Sequence, residues 1–362
     1  LGETSLIEPH FSAAMLGYTM AGFSPFLQLA SLGGIYALTW VAIFIAFMLF
    51  EVVSKYAHSP THRMVLYAVF LGVCGILTLL DQSELLSVRN EPHEKSVRVA
   101  LVTTQASPTW GTGQEWREYN QSINQMTRKW AQTHAPPDIL LFPEGTGFFD
   151  SIQENPVSFA REVFKSYPVT IIDTSITSAT STHVQFFAYG PDEHTYVSKK
   201  RFLAPGGEYQ PLFMQLPLKI LFANSKLASK INGPRLNPGT VVPIPVASTT
   251  IGALFCSEIH SPRLYRELTA AGAEVLFNAS SHASYHASRM IGRHTLVVAK
   301  VRAVENGRYL AIAQDNGSSV IISDRGAVIA KSEIGTNILA GEVPLLSKRT
   351  FYTTYGEGVL IA

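Results

Sequence analysis

Three side chains whose types could together make or break an acyl bond occur in the order Glu144, Lys200 and Cys256, each beside a predicted strand end or tight turn. Cys256 directly follows the apolar run 249–255, and polar residues come next. A strand fixes the backbone of its last residue and leaves the side chain free to face a cleft, which suits a nucleophile. The alternative for a lone cysteine at this position is a small buried hydrophobic residue.

The chemistry that these residues allow is nucleophilic attack by a thiol. A cysteine with an ordinary pKa is a poor nucleophile at neutral pH, so it needs a base or a positive charge beside it. Glu144 would remove the proton, and Lys200 would stabilise the thiolate and then the oxyanion of a tetrahedral intermediate. The alternative for Glu144 and Lys200 is a structural salt bridge. Ser261 followed by Pro262 predicts a helix start close behind the thiol, where helix amides would favour the thiolate.

Several stretches carry a resemblance to a known family. They are LLFPEGT around Glu144, KRFLAPGGEYQP from Lys200, GALFCSEI around Cys256, and VRAVENGRYLAIAQDNG with SDRGAVIA further on. The sequence resembles the apolipoprotein N-acyltransferase family of the nitrilase, or carbon–nitrogen hydrolase, superfamily. LGYTMAGFSPFLQLASLGGIYALTW near the start and TFYTTYGEG near the end extend the similarity over nearly the whole chain. Its most specific signal is the spacing K-x-x-L-x-P-x-G-E.

The resemblance implies further site residues. Glu208 matches the family's second carboxylate, which orients the lysine and the base, and Glu258 matches another family glutamate. A solvated or helix-start carboxylate is the alternative for Glu258. We expect substrate contacts from Glu258, Ser257, Phe213 and Met214.

Composition indicates that part of the chain lies in lipid. The 362 residues carry a net charge of +1, and only 15% are charged, against about a quarter in soluble domains. The neutral balance offers no basic field for nucleic acid. Residues 32–50 and 64–80 contain no charge and are long enough to cross a bilayer, so we predict two transmembrane helices within 32–80. Buried core helices are the alternative. Gly33 and Gly34 would allow close helix packing.

The charges around these helices predict their orientation. The turn 51–63 holds Lys55 and Arg63, whereas residues 1–31 contain no Lys or Arg. By the positive-inside rule the turn is cytoplasmic, and residues 1–31 form an extracytoplasmic or interfacial segment. Charged residues return in 81–96, a linker beyond which the chain lies outside the cytoplasm. Because the chain begins with Leu and lacks the family's outer helices, we expect it to be truncated at both ends.

Residues 97–347 alternate strand-like and helix-like runs, which predicts an α/β layered domain. The resemblance sharpens this to a nitrilase-like αββα sandwich preceded by transmembrane helices. The predicted strands are 97–103, 139–142, 169–174, 184–189, 195–199, 249–255, 275–279, 309–314, 320–323 and 328–330. The predicted helices are 114–134, 158–166, 262–271 and 286–306.

Two segments depart from this alternation. Residues 211–240 have little periodicity and include an apolar stretch, so we predict a lid or a membrane-facing loop beside the site. An ordinary surface loop is the alternative. Residues 348–362 are expected to lead toward a further membrane helix.

The remaining cysteine and histidine residues suggest no metal or cofactor. Cys74 falls in a predicted membrane helix and Cys256 in the domain, so a disulfide between them is not expected. His282 and His286 lie four residues apart, but no third ligand follows at motif spacing, and we predict a surface role for them.

The resemblance implies an acyltransferase of the bacterial inner membrane whose catalytic domain faces the periplasm. Cys256 would take an acyl chain from phospholipid as a thioester and pass it to the N-terminal amine of a diacylated lipoprotein. We expect a monomer that contacts membrane and no nucleic acid. One alternative is a membrane-tethered nitrilase-type amidase, favoured by Ser257 where the family often has an aromatic residue and by 278–285, which lacks the usual Asn-Asp-x-Trp pattern. Another is an inactive relative that binds lipid or a partner.

Overall fold

The computed structural model describes residues 12, 14–53, 64–65, 68, 70–72, 75, 95–106, 113–176, 184–204, 239–246, 249–285 and 288–356. Its α-helices are α1 Ser24–Gln28, α2 Ala30–Val53, α3 Gly113–Thr133, α4 Phe148–Ile152, α5 Pro156–Val163, α6 Pro262–Ala270, α7 Arg289–Asn306 and α8 Phe351–Tyr355. Its strands are β1 Ser96–Thr103, β2 Ile139–Leu141, β3 Thr170–Ile176, β4 Val184–Tyr189, β5 Thr195–Lys199, β6 Ile244–Val246, β7 Thr249–Phe255, β8 Val275–Ser281, β9 Leu310–Asp315, β10 Val320–Ile322, β11 Val328–Lys331 and β12 Asn337–Pro344. Short 3-10 helices cover Leu16–Gly22, Cys256–His260 and Ala283–Tyr285.

The strands form two six-stranded sheets that pack face to face. Their orders are β12-β1-β2-β3-β4-β5 and β11-β10-β9-β8-β7-β6. Buried side chains of both sheets, Phe186 and Phe255 among them, meet in the central core. Helices α3, α4 and α5 cover the outer face of the first sheet, and α6 and α7 cover that of the second. The predicted αββα sandwich is therefore confirmed.

The strand that completes the first sheet was not predicted. Strand β12 pairs antiparallel with β1 over its whole length. The last strand of the domain is therefore β12 and not the predicted strand 328–330. Gly341 interrupts the β-propensity of this stretch, which hid the strand from a pattern-based prediction. The glycine has a packing reason, because a Cβ there would lie 2.5 Å from Cδ1 of Ile321 in the second sheet. The edge strand β6 was missed for a similar reason, since it contains Pro245.

An apolar helix is present where the first membrane helix was predicted. Within the described residues, one helix, Ala30–Glu51, is long and apolar enough to cross a membrane. Its outer face is formed by exposed apolar side chains between Trp40 and Phe50, with exposed fractions of 54–66% for the most open of them. The inner face packs on α7 of the sandwich and on α8, and its Ile35 and Leu38 are buried in the core shared with the domain. The apolar helix and the α/β domain therefore share one hydrophobic core.

A break in α2 connects it to the domain. Gly33 and Gly34 leave the helical conformation, and Gly34 has a φ of 64°, which a glycine adopts readily. A Cβ on Gly34 would lie 2.7 Å from the ring of Tyr352 in α8, so the close packing predicted for the two glycines occurs against this ring. The break exposes the backbone N–H of Ile35, which donates to Oε1 of Glu305 at 2.6 Å.

Glu305 belongs to a buried polar cluster at the junction. It pairs with Arg302 at 3.0 Å, and both side chains are completely buried. Arg302 also donates to the hydroxyl of Tyr18 in the first 3-10 helix at 3.0 Å. The hydroxyl of Thr350 donates to the backbone oxygen of Glu305. The cluster therefore connects α7 both to residues that precede the α/β domain in the sequence and to Thr350, which follows it.

Some expectations fall outside the described residues. These are most of the second predicted membrane helix at 64–80 with Cys74, the centre of the cytoplasmic turn 51–63, most of the linker 81–96, nearly all of the loop 211–240, and residues 357–362.

Candidate active site

Glu144 lies in a tight turn just beyond β2. Its neighbour Pro143 has a backbone oxygen that accepts hydrogen bonds from the hydroxyls of Thr146 at 2.8 Å and Thr174 at 2.7 Å. Gly145 has a φ of 79°, a left-handed conformation that allows the chain to turn sharply after Glu144. These two hydroxyl groups therefore fix the backbone next to Glu144.

Lys200 follows β5 directly, and its ammonium group reaches Glu144. The Nζ atom donates to Oε1 of Glu144 at 2.9 Å, with side-chain exposures of 1% for Lys200 and 13% for Glu144. The backbone of Lys200 is held by the returning chain, because its carbonyl accepts from the N–H of Gly239 at 2.8 Å. A buried ammonium is stable only when it is paired, so Glu144 and Lys200 fix each other.

Cys256 stands at the junction of β7 and a 3-10 helix. Its φ is 20°, a sparsely populated value for a residue with a side chain, and such strain is typical of functional positions. The thiol is half-buried and donates to the backbone oxygen of Ser281 at 3.6 Å. Ser261 caps α6 through a bond from the N–H of Leu264, so the predicted helix start behind the thiol is confirmed.

Glu258 holds the strained backbone at Cys256. Its carboxylate accepts hydrogen bonds from the N–H groups of Phe255 at 2.8 Å, Arg201 at 2.7 Å and Phe202 at 3.1 Å. The side chain is completely buried, which excludes the solvated alternative. Because Arg201 and Phe255 adjoin Lys200 and Cys256, one carboxylate fixes the backbones next to both. Its contacts are those of a positioning residue, and its oxygens are occupied by backbone donors.

Asp315, at the end of β9, was not predicted as a site residue. Its carboxylate accepts from the hydroxyls of Ser281 and Thr104, each at 2.8 Å. Ser281 carries the backbone oxygen that Cys256 contacts, so Asp315 orients that acceptor. Strands β7, β8 and β9 run parallel, and their carboxyl ends meet at this edge. The position of a carboxylate directly after the apolar run 309–314 is the sequence signal that could have identified Asp315 as a site residue.

The electrostatics of the site keep the thiol protonated at neutral pH. Burial, and then the nearby charge of Glu144, raise the pKa of Cys256 to about 12, against the lowering effect of Lys200. Both charges are thus close enough to act on the sulfur. Burial also raises the pKa of Glu258 to about 7, against the lowering effect of the Phe255 N–H and then of Lys200. Attack by Cys256 would therefore require a base for its proton, and Glu144 is a carboxylate whose charge acts on the sulfur.

We predict that alkylation of Cys256 by iodoacetamide accelerates only at strongly alkaline pH, because the thiolate is the reacting species and the thiol pKa is about 12. Glu144→Gln should shift the midpoint to lower pH, since it removes a charge that raises this pKa. Lys200→Met should shift it to higher pH. Rates are measured by mass spectrometry of the peptide bearing Cys256. Equal midpoints in all three proteins would show that neither charge acts on the sulfur.

The other predicted site residues have different outcomes. Ser257 lies beside the thiol, and its hydroxyl donates to the backbone oxygen of Phe202 at 3.3 Å. Glu208, Phe213 and Met214 lie outside the described residues, so their roles stay predictions.

The expected surface role of His282 is wrong. Its exposed fraction is 5%, because the residue turns under α7 directly after β8, and its Nε2 lies 3.3 Å from the hydroxyl of Thr295. Burial lowers its pKa. Among the described residues, the structure has no group of three His, Cys, Asp or Glu side chains that could hold a metal.

Solved structures share this architecture. The amidase from Nesterenkonia sp. AN1, of the nitrilase superfamily, superposes with a TM-score of 0.52 at 15% identity, covering 75% of this chain and 98% of that protein. Its complex with butyramide gives the same TM-score at 14% identity. The fold is thus that of the nitrilase superfamily. Residues 169–349 match the family model described as carbon-nitrogen hydrolase, and the chain belongs to that family.

Curated relatives resemble the chain beyond the sandwich. The apolipoprotein N-acyltransferase of Geobacter metallireducens is 26% identical over 96% of this chain, and that of Shewanella oneidensis is 25% identical over 94%. The chain spans 67% and 66% of their lengths, respectively. The similarity to this enzyme family that the sequence motifs indicated is therefore confirmed, and it includes the N-terminal helices.

Proposed function

We propose that the protein is a membrane-bound N-acyltransferase that moves a fatty acyl chain from phospholipid, through a thioester on Cys256, to the N-terminal amine of a diacylated lipoprotein. The observation that carries the proposal is the buried Glu144–Lys200 pair acting on the thiol of Cys256, in a domain that shares its core with an apolar helix. The names of the curated relatives support the same activity.

The first half-reaction transfers the acyl group to the enzyme. Glu144 takes the proton of Cys256, and the sulfur attacks the ester carbonyl carbon of the phospholipid. The carbonyl oxygen becomes an oxyanion, which the positive charge of Lys200 stabilises. The C–O ester bond then breaks, the lysophospholipid alkoxide takes the proton from Glu144, and a thioester remains on Cys256. Lysophospholipid is the first product.

The second half-reaction uses the same groups. The neutral amine of the lipoprotein attacks the thioester carbon, and Glu144 removes a proton from the nitrogen. The C–S bond breaks as the amide forms, and the proton on Glu144 returns to the sulfur. Transfer must outcompete hydrolysis, so an apolar cover that excludes water would favour the amine. The predicted loop 211–240 with Phe213 and Met214 is the candidate for this cover, and Glu208 the candidate for orienting Lys200.

The test compares acyl transfer with hydrolysis. The protein in detergent is incubated with labelled phospholipid and a diacylated lipopeptide. We expect label in the lipopeptide amide and an equal amount of lysophospholipid. Release of free fatty acid alone, with no labelled lipopeptide, would contradict the transferase proposal. Cys256→Ala is the matched control for label that arises without the enzyme.

A nitrilase-type amidase is the second candidate. It is favoured by Ser257, a small residue beside the nucleophile where the acyltransferases often have an aromatic side chain. The same groups would then hydrolyse an amide, with water in place of the amine. Ammonia released from short aliphatic amides, at a rate above that of lipopeptide acylation, would support this candidate.

We also propose that the catalytic domain lies outside the cytoplasm. A reporter fused after Ser96 is expected to show the extracytoplasmic side, and one fused within 56–62 the cytoplasmic side. The reason is the position of Lys55 and Arg63, since positive charge is retained in the cytoplasm. Opposite labelling of the two fusions would reject this orientation and the periplasmic substrates with it.

A further inference from the structure

A cavity of about 270 Å³ lies under α7, at the outer face of the second sheet. Ile312 and Val320 of the sheet and Leu296 of the helix contribute its apolar lining. Polar and cationic residues contribute much of the rest, namely His282, Ser288, Arg289, Arg293, Thr295, Gln314, Asn316, Ser318 and Lys331. Glu144, Lys200 and Cys256 are not among its lining residues, so it is separate from the candidate active site.

Three cations face this cavity without a counter-charge. Arg289 and Arg293 are one helical turn apart, and Lys331 lies across from them on β11. None of the three has an ion pair with a described residue, and the described lining contains no carboxylate. Like charges four residues apart destabilise a helix slightly, and the chain as a whole carries a charge of only +1. The excess of positive charge is therefore local.

Neutral donors add to the positive charges. Ser288 is the N-cap residue of α7, but its side chain makes no capping hydrogen bond, so the first helical amides lack that acceptor. His282 has an exposed fraction of 5%, and within the described structure its Nδ1 atom has no hydrogen-bond partner. A Cβ on Gly317, another lining residue, would lie 3.5 Å from this Nδ1. An unpaired nitrogen thus points toward the cavity.

We propose that this cavity binds a phosphate group. An oxyanion would satisfy the two guanidinium groups, the ammonium, the uncapped amides of α7 and Nδ1–H of neutral His282 together. A fatty acyl chain would offer no acceptor to the buried Nδ1–H of His282, and a metal cation would be repelled by three positive charges. The size suits a phosphate ester with a short apolar neighbour.

The phosphate could come from a lipid headgroup or from a free phosphate compound. Exposed apolar residues favour the headgroup, because Met290 on α7 and Ile334 at the cavity are 73% and 62% exposed. Cations beside exposed apolar side chains are typical of surfaces that meet a lipid interface. The same helix, α7, packs against the apolar helix α2.

Titration calorimetry on the full chain in neutral detergent tests the proposal. The probes are dihexanoyl phosphatidylglycerol below its micelle concentration, inorganic phosphate, and dihexanoylglycerol, which lacks phosphate. A Cys256→Ala background prevents consumption of the lipid by acyl transfer. We expect the phosphatidylglycerol to bind. The double variant Arg293→Gln/Lys331→Gln should weaken this binding about tenfold or more, because each substitution removes a charged hydrogen-bond donor to the phosphate. Ser318→Trp, which fills the cavity and keeps the cations, should do the same.

The matched control is Arg117→Gln/Lys129→Gln, which removes one Arg and one Lys from the exposed face of α3 on the opposite side of the sandwich. It should leave binding unchanged. If inorganic phosphate saturates the site and the cavity variants abolish this, the natural ligand is a free phosphate; if only the lipid binds, it is a headgroup. Equal binding by the cavity variants and the control, equally tight dihexanoylglycerol binding, or no binding of either phosphate probe would overturn the proposal.

Discussion

A Cys256→Ala protein incubated with phospholipid is expected to carry no acyl mass on the peptide containing position 256, where the unmodified protein carries one that hydroxylamine removes. The reason is that the proposed thioester forms on this sulfur alone. Cys74→Ala should leave the acyl mass in place, because a thiol in the predicted membrane helix 64–80 would have no base beside it. An unchanged mass in Cys256→Ala, or a mass on Cys74 only, would return Cys256 to the role of a buried hydrophobic residue.

Variants of the paired charges should slow acylation without removing its site. Glu144→Gln loses the base and Lys200→Met loses the oxyanion charge, and each should slow thioester formation on the order of 10²-fold or more. Glu208→Gln should act similarly if that residue orients the pair. The alkylation midpoints supply an internal check, because Glu144→Gln should make the thiol easier to ionise yet slower to acylate. Faster acylation in Glu144→Gln would exclude this carboxylate as the base.

The second large effect concerns the buried junction between α2 and α7. Arg302→Met is expected to destabilise the protein by about 3–5 kcal/mol, because it leaves the fully buried carboxylate of Glu305 without its counter-charge. Such a loss is a large part of the roughly 5–15 kcal/mol that stabilises a typical domain. Thermal unfolding in detergent measures it.

Two controls separate this effect from the loss of any arginine. Arg128 pairs with Glu154 at 2.7 Å and Glu162 at 2.6 Å on a partly exposed surface, so Arg128→Met should cost at most about 1 kcal/mol. Arg302→Met/Glu305→Leu removes both buried charges, although the Ile35 N–H loses its acceptor and the Tyr18 hydroxyl loses its Arg302 donor. The double variant should therefore be more stable than Arg302→Met alone. If Arg302→Met loses no more stability than Arg128→Met, the buried Arg302–Glu305 pair does not have the stabilising role proposed for it.

Much of the sandwich could be predicted because its strands are continuous apolar runs bounded by Gly, Pro and charged residues. The hairpin of β4 and β5 has the predicted bounds, and β7 ends immediately before Cys256 as expected. The ion pair of Glu144 with Lys200 is the alternative that the sequence offered to their catalytic roles, since each residue follows a strand end and needs an opposite charge. These features depend on local pattern and on residue type.

The features that escaped prediction depend on contacts between distant segments. No local pattern indicates that Glu258 accepts from the N–H groups of Arg201 and Phe202, because those groups arrive from another strand. The same holds for Asp315, whose partners Ser281 and Thr104 lie on a neighbouring strand and on the other sheet. His282 was expected at the surface for lack of metal partners, but the absence of a ligand set says nothing about burial.

The pairing of β1 with β12 has a consequence for how the protein is made. Ser96 pairs with Pro344, so the ribosome delivers the first strand of the domain long before the strand that covers its open edge. During that interval the edge of β1 offers unpaired backbone groups to any other extended chain. Contacts so distant in sequence also form slowly. The growing polypeptide must therefore keep this edge from aggregating until Asn337–Pro344 has been synthesised, and truncation before residue 337 would leave it open permanently.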